Sequence, residues 1–337
     1  MTTYGERPGV YIDYDASAVV SSDALSSGVT LLCKLDSSDT VKSFYSLRAA
    51  LADREIAADP DLQRVLTAVF ESGGRAVFLL PAAEDTEAAF TQAMEAAESV
   101  DAAAVMVLCS TNMEVQTAFS DFLNTCAEQG RSRIGFTYCM EVDTAKKRAA
   151  ACNCERLVIT AQGGAVLTAA LAAAVASAPV SDPLYGLELG GAGAAVGRLN
   201  EAAVDAMIAG GVTPLETVGG KVYSIRTVST RTATDGVADR SFLDLQTVRI
   251  VDRVLDGVRA ALGRMLGAAR NSSRSRLAVA TQAGIVLSQM KQEELLADYD
   301  DPVVEADSDD PSGCTVLLAF TVARGISRIR ISATVTV

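Results

Sequence analysis

The chain has 337 residues, 49% of them hydrophobic, with 29 Lys and Arg against 42 Asp and Glu, a formal net charge of −13, and neither His nor Trp. That length allows two or three domains with a sizeable aliphatic core, and the acidic balance argues against nucleic acid as a partner, because there is no excess of cations to displace phosphate counterions. No basic segment followed by an apolar one opens the sequence, and no run approaches the roughly 18 apolar residues of a membrane span, so synthesis in the cytoplasm without membrane insertion is expected.

A first strand is expected at 9–15, where Val10, Ile12 and Tyr14 share one face and Tyr11, Asp13 and Asp15 the other. A second strand follows at 29–35 and a helical stretch at about 40–51. From 60 to 177 the patterns alternate, with helices at 60–72, 85–99, 114–129, 144–151 and 165–177. Between them lie strands at 76–80, 103–109, 133–138 and 156–160. Short buried runs between amphipathic helices predict an open, largely parallel sheet with helices on its faces.

The stretch 179–197, with Pro183, Tyr185 and five glycines, reads as a break, and a domain boundary is placed at 198. Beyond it come a helix at 200–209, then strands at 213–218 and 221–228 joined at Gly219-Gly220. Two long helices follow at about 246–266 and 273–296, and a strand-rich tail from 299. In the tail Ile329, Ile331, Ala333, Val335 and Val337 alternate strictly with Arg328, Arg330, Ser332, Thr334 and Thr336. An unpaired strand is an open template for another chain; pairing within its own subunit is the alternative. The fold class is therefore α/β, α+β overall. An open αβ sheet domain at 29–198 is followed by an α+β domain at 199–312, with extended arms at 1–28 and 313–337.

Few residues suggest chemistry. The seven Cys are scattered, mostly in apolar segments, and read as buried free thiols. Cys152-Asn-Cys154 lacks both the spacing and the histidines of a zinc site. Without His, neither a Ser-His-Asp nor a Cys-His set can form. The glycines of 190–197 give a G-x-G-x-x-x-G pattern before a helix, a relative of a dinucleotide fingerprint, but no parallel βαβ strand is expected ahead of it. A mobile connector is the preferred reading, with a nucleotide-binding enzyme using the Gly191–Gly197 loop as the alternative. Carboxylates crowd 298–310, but without the ordered spacing of a calcium loop, and read as a solvated acidic rim. Arg226, Arg231, Asp235, Asp239 and Arg240 surround a Thr-rich turn and read as either an internal salt-bridged loop or a contact between subunits. No catalytic residue, cofactor or metal is expected.

Several of these words together resemble one family. Thr213-Pro214-Leu215-Glu216, Gly219-Gly220-Lys221-Val222, the run from Ile225-Arg226 to Arg231-Thr232, Asp239-Arg240-Ser241-Phe242 and Ile250-Val251-Asp252 are similar to the C-terminal region of contractile tail sheath proteins. Arg7-Pro8-Gly9-Val10-Tyr11 is similar to the family's N-terminal strand, and Phe320 to Gly325 with the alternating run after it to its C-terminal arm. The chain is short for a phage sheath, as are the sheaths of phage-tail-like bacteriocins.

The resemblance implies a structural subunit and no enzyme. Such a subunit polymerises helically around a tail tube, meets baseplate and tail terminator proteins, and contracts to drive the tube through a target envelope. It implies a place in a virion tail or phage-tail-like particle. It further implies that the arms, here about 9–15 and 326–337, add strands to the C-terminal domains of neighbours. On that basis Val10, Tyr11, Ile12, Asp13, Tyr14 and Asp15, and Arg328, Ile329, Arg330, Ile331 and Val335, are the expected intersubunit residues. Arg226, Arg231, Asp239 and Arg240 are candidate lattice contacts. The arms are expected to flex at 17–27 and 298–313, with Asp13 and Asp15 near Arg328 and Arg330. A different tube- or shell-forming protein is the remaining alternative.

Overall fold

The structure, a computed structural model, describes residues 28–325 apart from 36–40, 100–103, 191–195, 266–269, 308–309 and 311. The first-arm strand at 9–15 and the alternating run at 328–337 lie outside the described residues.

The first half of the chain builds a doubly wound sheet. In chain order its elements are β1 (Gly28–Lys34), β2 (Lys42–Phe44), α1 (Leu47–Leu51), α2 (Arg54–Ala58), α3 (Pro60–Glu71), β3 (Ala76–Ala82) and α4 (Glu87–Ser99). They continue with β4 (Val105–Leu108), α5 (Met113–Glu128), β5 (Ile134–Tyr138), α6 (Val142–Cys152), β6 (Leu157–Thr160) and α7 (Gly164–Ser177). After β7 (Tyr185–Leu189) and α8 (Glu201–Ala209) comes β8 (Val212–Thr213). The sheet order is β2-β3-β1-β4-β5-β6-β8, parallel except for β2. Val29, Leu31 and Cys33 face a core with α3 and α7, while Leu32, Leu80 and Met106 face one with α4, α5 and α6. Strands covered on both faces have no polar side, which is why β1 reads as an unbroken apolar run.

Helix α7 is apolar all round and its residues from Leu167 to Ala176 are buried. A helix of that kind must be covered on every side. The cover comes from the three-stranded antiparallel sheet β7-β10-β9, in which β9 (Leu215–Val218) and β10 (Lys221–Arg226) form the hairpin at Gly219-Gly220. Leu184, Leu189, Leu215 and Val222 join the core that holds α7.

The sequence reading is corrected at several points. The stretch 40–51 is not one helix: β2 pairs antiparallel with β3, and Ser46 then caps α1. Lys42 anchors that edge by reaching Asp53 at 2.9 Å and Glu55 at 2.7 Å. The break at 179–197 contains β7. The proposed boundary at 198 is crossed by β7 pairing with β10 and by β8 joining β6.

The last part holds the short hairpin β11 (Ala233–Thr234) with β12 (Val237–Ala238), then the helices α9 (Leu245–Gly263) and α10 (Ser273–Gln292). The strands β13 (Leu296–Tyr299), β14 (Val303–Ala306), β15 (Cys314–Leu317) and β16 (Phe320–Val322) follow. Helix α10 ends four residues earlier than expected, where Glu294 takes a φ of +59° that no helix accommodates. All seven Cys are free; six are buried or half-buried, but Cys314 is exposed.

Candidate interaction surface

The last four strands of the described residues form an antiparallel ribbon of two successive pairs. β13 pairs with β16 and β14 with β15. The gap between the two pairs is bridged by the Asp300 N–H, which donates to the Ala319 carbonyl at 2.9 Å. The ladder continues where the Ala323 N–H donates to the Leu295 carbonyl at 2.9 Å. Stretch 298–313, expected as a flexible root, therefore contains part of a ladder.

A two-stranded ribbon alone is marginal in water. This one is supported on one face by α9 and α10: Val316, Leu318, Phe320 and Val322 pack against Val254, Val258, Val286 and Leu287 among others. Yet those four ribbon residues stay only half-buried, and on the opposite face Val303 and Leu317, directly across from each other, are 52% and 48% exposed. Among the described residues each ribbon strand has a single strand partner, which leaves two edges of unpaired backbone.

The base of this domain is seated on the body by arginines. Arg156 of the main sheet, 1% exposed, forks onto Asp252 of α9 at 2.7 and 2.8 Å. Arg249 donates to the Ala178 carbonyl at the C-terminus of α7 (2.6 Å), supplying the cation that helix lacks in its own last turn. Burial pushes Arg249 down to about 10. Arg259 donates to the Gly130 carbonyl at 3.2 Å.

The predicted lattice residues divide. Arg226 forks onto Asp244 (2.7 and 2.7 Å) and lies over the Tyr185 ring. Arg231 pairs with the buried Glu155 and lies over Phe242. The Asp239 carboxylate accepts from the Ser241 hydroxyl and N–H and from the Thr234 hydroxyl, which hold it down to about 2. Those three are engaged within the chain. Arg240 and Asp235 are exposed, beside Val237 at 70% exposure. Sequence reasoning missed Arg156 and Arg249, because nothing local marks a residue whose partner lies 96 or 71 positions away.

In a doubly wound sheet, ligands bind where the strand order reverses, at the carboxyl ends of the strands. That point lies between β1 and β4, and among the described residues the groups that follow β3 and β4 hydrogen-bond to one another there. The Ser110 hydroxyl donates to Asp85 at 2.6 Å, and the Asn112 amide to the Asp85 carbonyl at 3.2 Å. Next door the buried Gln116 amide donates to the Ser110 and Tyr138 carbonyls. Residues 191–195 of the glycine run are outside the described residues, but β7 before them belongs to the antiparallel sheet, not to a βαβ unit. Both flanks are held: the Gly190 N–H donates to Ser72 Oγ (3.0 Å) and the Val196 N–H to Thr217 Oγ1 (3.0 Å). Among the described residues no three Cys, Asp or Glu group as a metal site, and no helix is long and apolar enough to cross a membrane.

Comparison with known proteins bears on this surface. Residues 237–336 match the phage tail sheath C-terminal domain. No curated protein matches the chain by sequence. Among solved structures, a chain of the anti-feeding prophage baseplate is 14% identical with a TM-score of 0.68, covering 99% of this chain and 100% of that one. The sheath tail protein of Listeria innocua is 13% identical with a TM-score of 0.67, covering 88% and 92%. A chain of the anti-feeding prophage helical sheath in its contracted state is 13% identical with a TM-score of 0.65, covering 98% and 99%. At these identities the likeness is one of fold. The sequence match is thus to the phage tail sheath C-terminal domain over residues 237–336, and over almost the whole length the likeness to the sheath tail protein and to the contracted helical sheath is one of fold.

Proposed function

We propose that the chain is the structural subunit of a contractile sheath, polymerising helically around a tail tube and contracting to drive that tube through a target envelope. The observation that carries this reading is the ribbon of β13–β16, among the described residues a sheet of two strands with unpaired edges, inside the segment matched to the sheath C-terminal domain. Such a sheet is completed by strands added from outside, and head-to-tail addition that does not close gives helical filaments. The contracted helical sheath among the similar structures supports the same assembly. The chain acts without catalysis, and its site is a virion tail or phage-tail-like particle assembled in the bacterial cytoplasm. The tail tube, baseplate and tail terminator proteins are its partners.

In this reading the arms at 9–15 and 326–337 supply the added strands. On this proposal Asp13 and Asp15 would face Arg328 and Arg330, and each opposite-charge pair on neighbouring strands would contribute about 0.2–1 kcal/mol and bias register. Negative-stain electron microscopy of the purified chain, alone and with co-expressed tube, tests the proposal. Hollow cylinders with a regular helical surface, lost on deleting residues 326–337, are the expected result. Discrete particles of fixed size under every condition would overturn it and turn attention to nucleotide binding at 191–197.

A further inference from the structure

The two ends of α6 carry features that fit each other. At its N-terminus a pocket of about 190 Å³ is lined by Cys139, Met140 and Thr144 and rimmed by Glu141 and Arg148. A cavity of roughly 150 Å³ already accepts a benzene ring, so this one has room for a single aliphatic side chain. Met140 stands 73% exposed at its mouth. The Arg148 guanidinium donates to the Gln116 amide oxygen at 2.7 Å, which fixes its direction. Among the described residues neither Arg148 nor Glu141 has an ion-pair partner.

At the other end Asn153 closes α6 in a left-handed conformation, and its side chain ties down the β11–β12 hairpin. It donates to the Ala233 carbonyl at 2.8 Å and accepts from the Thr232 and Ala233 N–H groups at 3.0 and 3.2 Å. The turn is Asp235-Gly236, both at positive φ, as a tight two-residue hairpin turn demands. The Asp239 carboxylate braces it by accepting from the Thr234 hydroxyl. The hairpin is therefore a fixed knob. Its apolar tip is Val237, 70% exposed, with Asp235 before it and Arg240 after it. Both charges are exposed and, among the described residues, without an ion-pair partner. A side chain held ready in this way loses little freedom on binding.

We propose that the β11–β12 hairpin of one copy seats Val237 in the Met140 pocket of a second copy, with Arg240 on Glu141 and Asp235 on Arg148. The contact rests on the sheath reading above and adds to it a body-to-body joint made without the terminal arms. Knob and pocket match in chemistry: an aliphatic tip meets an apolar opening, and each is flanked by one acid and one base. The apolar seat supplies the hold, while the ion pairs at its rim set orientation and exclude wrong partners. Placement decides the kind of assembly. Helix α6 has 11 residues, about 16 Å of helix, so knob and pocket sit at opposite ends of the body and one chain cannot fill its own pocket. Each copy then offers its knob to one neighbour and its pocket to another. A heterologous contact of that kind runs on as an open row unless its rotation closes.

Charge reversals in the full chain test the contact, read as the protein concentration at which polymers first sediment. V237D, E141R and R240E should each raise that concentration about tenfold or more. Monomer unfolding should stay unchanged, because all three positions are exposed. E141R with R240E in one chain should return to within about threefold of the wild type; no recovery overturns the pairing of Arg240 with Glu141. Cross-linking gives a second measurement. In a C314S background, which removes the exposed thiol, polymers carrying both M140C and V237C are oxidised with a low-molecular-weight disulfide. A ladder of dimers, trimers and longer species is expected, while a mixture of the two single variants should stop at dimers. Wild-type assembly by V237D and E141R, or polymers of the double-cysteine chain that give no ladder, overturn the contact and leave the sheath reading standing. A wild-type chain that forms no polymer under any condition overturns both.

Discussion

The main sheet and the terminal ribbon solve the same problem differently. In the main sheet both faces are covered, α7 is enclosed by a second sheet, and near the strand reversal Ser110 hydrogen-bonds to Asp85 and Gln116 to Ser110. Among the described residues the ribbon has two strands, one supported face and two unpaired edges, with Val303 and Leu317 about half exposed. The body is covered on both faces from within the chain, whereas among the described residues each ribbon strand has one strand partner. In the proposed assembly the body would place the edge and the ribbon would receive the added strand.

The largest way to break this contrast is at the seam where body meets α9. Arg156→Met strips Asp252, itself only 14% exposed, of its partner, and should cost about 3–5 kcal/mol in denaturant unfolding. Arg156→Met combined with Asp252→Leu should recover most of the loss, because the stranded charge goes too; failure to recover would mean that the fork has a further role. Within the body, Leu171→Ala in α7 should cost about 2–5 kcal/mol, as cavities do in a core that cannot collapse. In the ribbon the half-buried Phe320→Ala should cost the monomer less, about 1–2 kcal/mol, yet impair polymerisation, separating stability from assembly. Reversing Arg328 and Arg330 to Glu should block polymerisation without shifting monomer unfolding; normal cylinders from that variant would sink the proposed register.

The smallest effect concerns Asp239 on the β11–β12 turn. Its carboxyl is held near 2 by the Ser241 hydroxyl and N–H and the Thr234 hydroxyl. A depressed carboxyl stabilises the fold above the ordinary value of about 4, and that contribution is lost as pH falls through about 2. Amide exchange in the turn should therefore quicken between about pH 4 and 2 in the wild type and change little in Asp239→Asn.

What could be read along the chain was whatever local chemistry signals locally. Asp59 before Pro60 marks the start of α3, Gly219-Gly220 the β9–β10 hairpin, and Asn200 the start of α8. The strand β7 was hidden because Pro183 and the glycines around it speak for a loop, and only pairing with β10 makes Tyr185–Leu189 extended. Stretch 40–51 was misread for a similar reason, since Lys42–Phe44 is a strand through β3 alone. Among the candidate contacts, the sequence marked Arg226 and Arg231 as charged and clustered, but not that Asp244 and Glu155 take them up inside the subunit.

By itself, then, the sequence determined the alternation of helix and strand, the all-apolar character of α7 and the alternating segment at 328–337, because periodicity and capping act over a few residues. Tertiary structure alone decided which edge each strand meets, which arginines are spent within the chain, and that among the described residues β13 pairs with β16 and β14 with β15. Those outcomes depend on groups tens of residues apart brought together by burial, and no local pattern carries that distance.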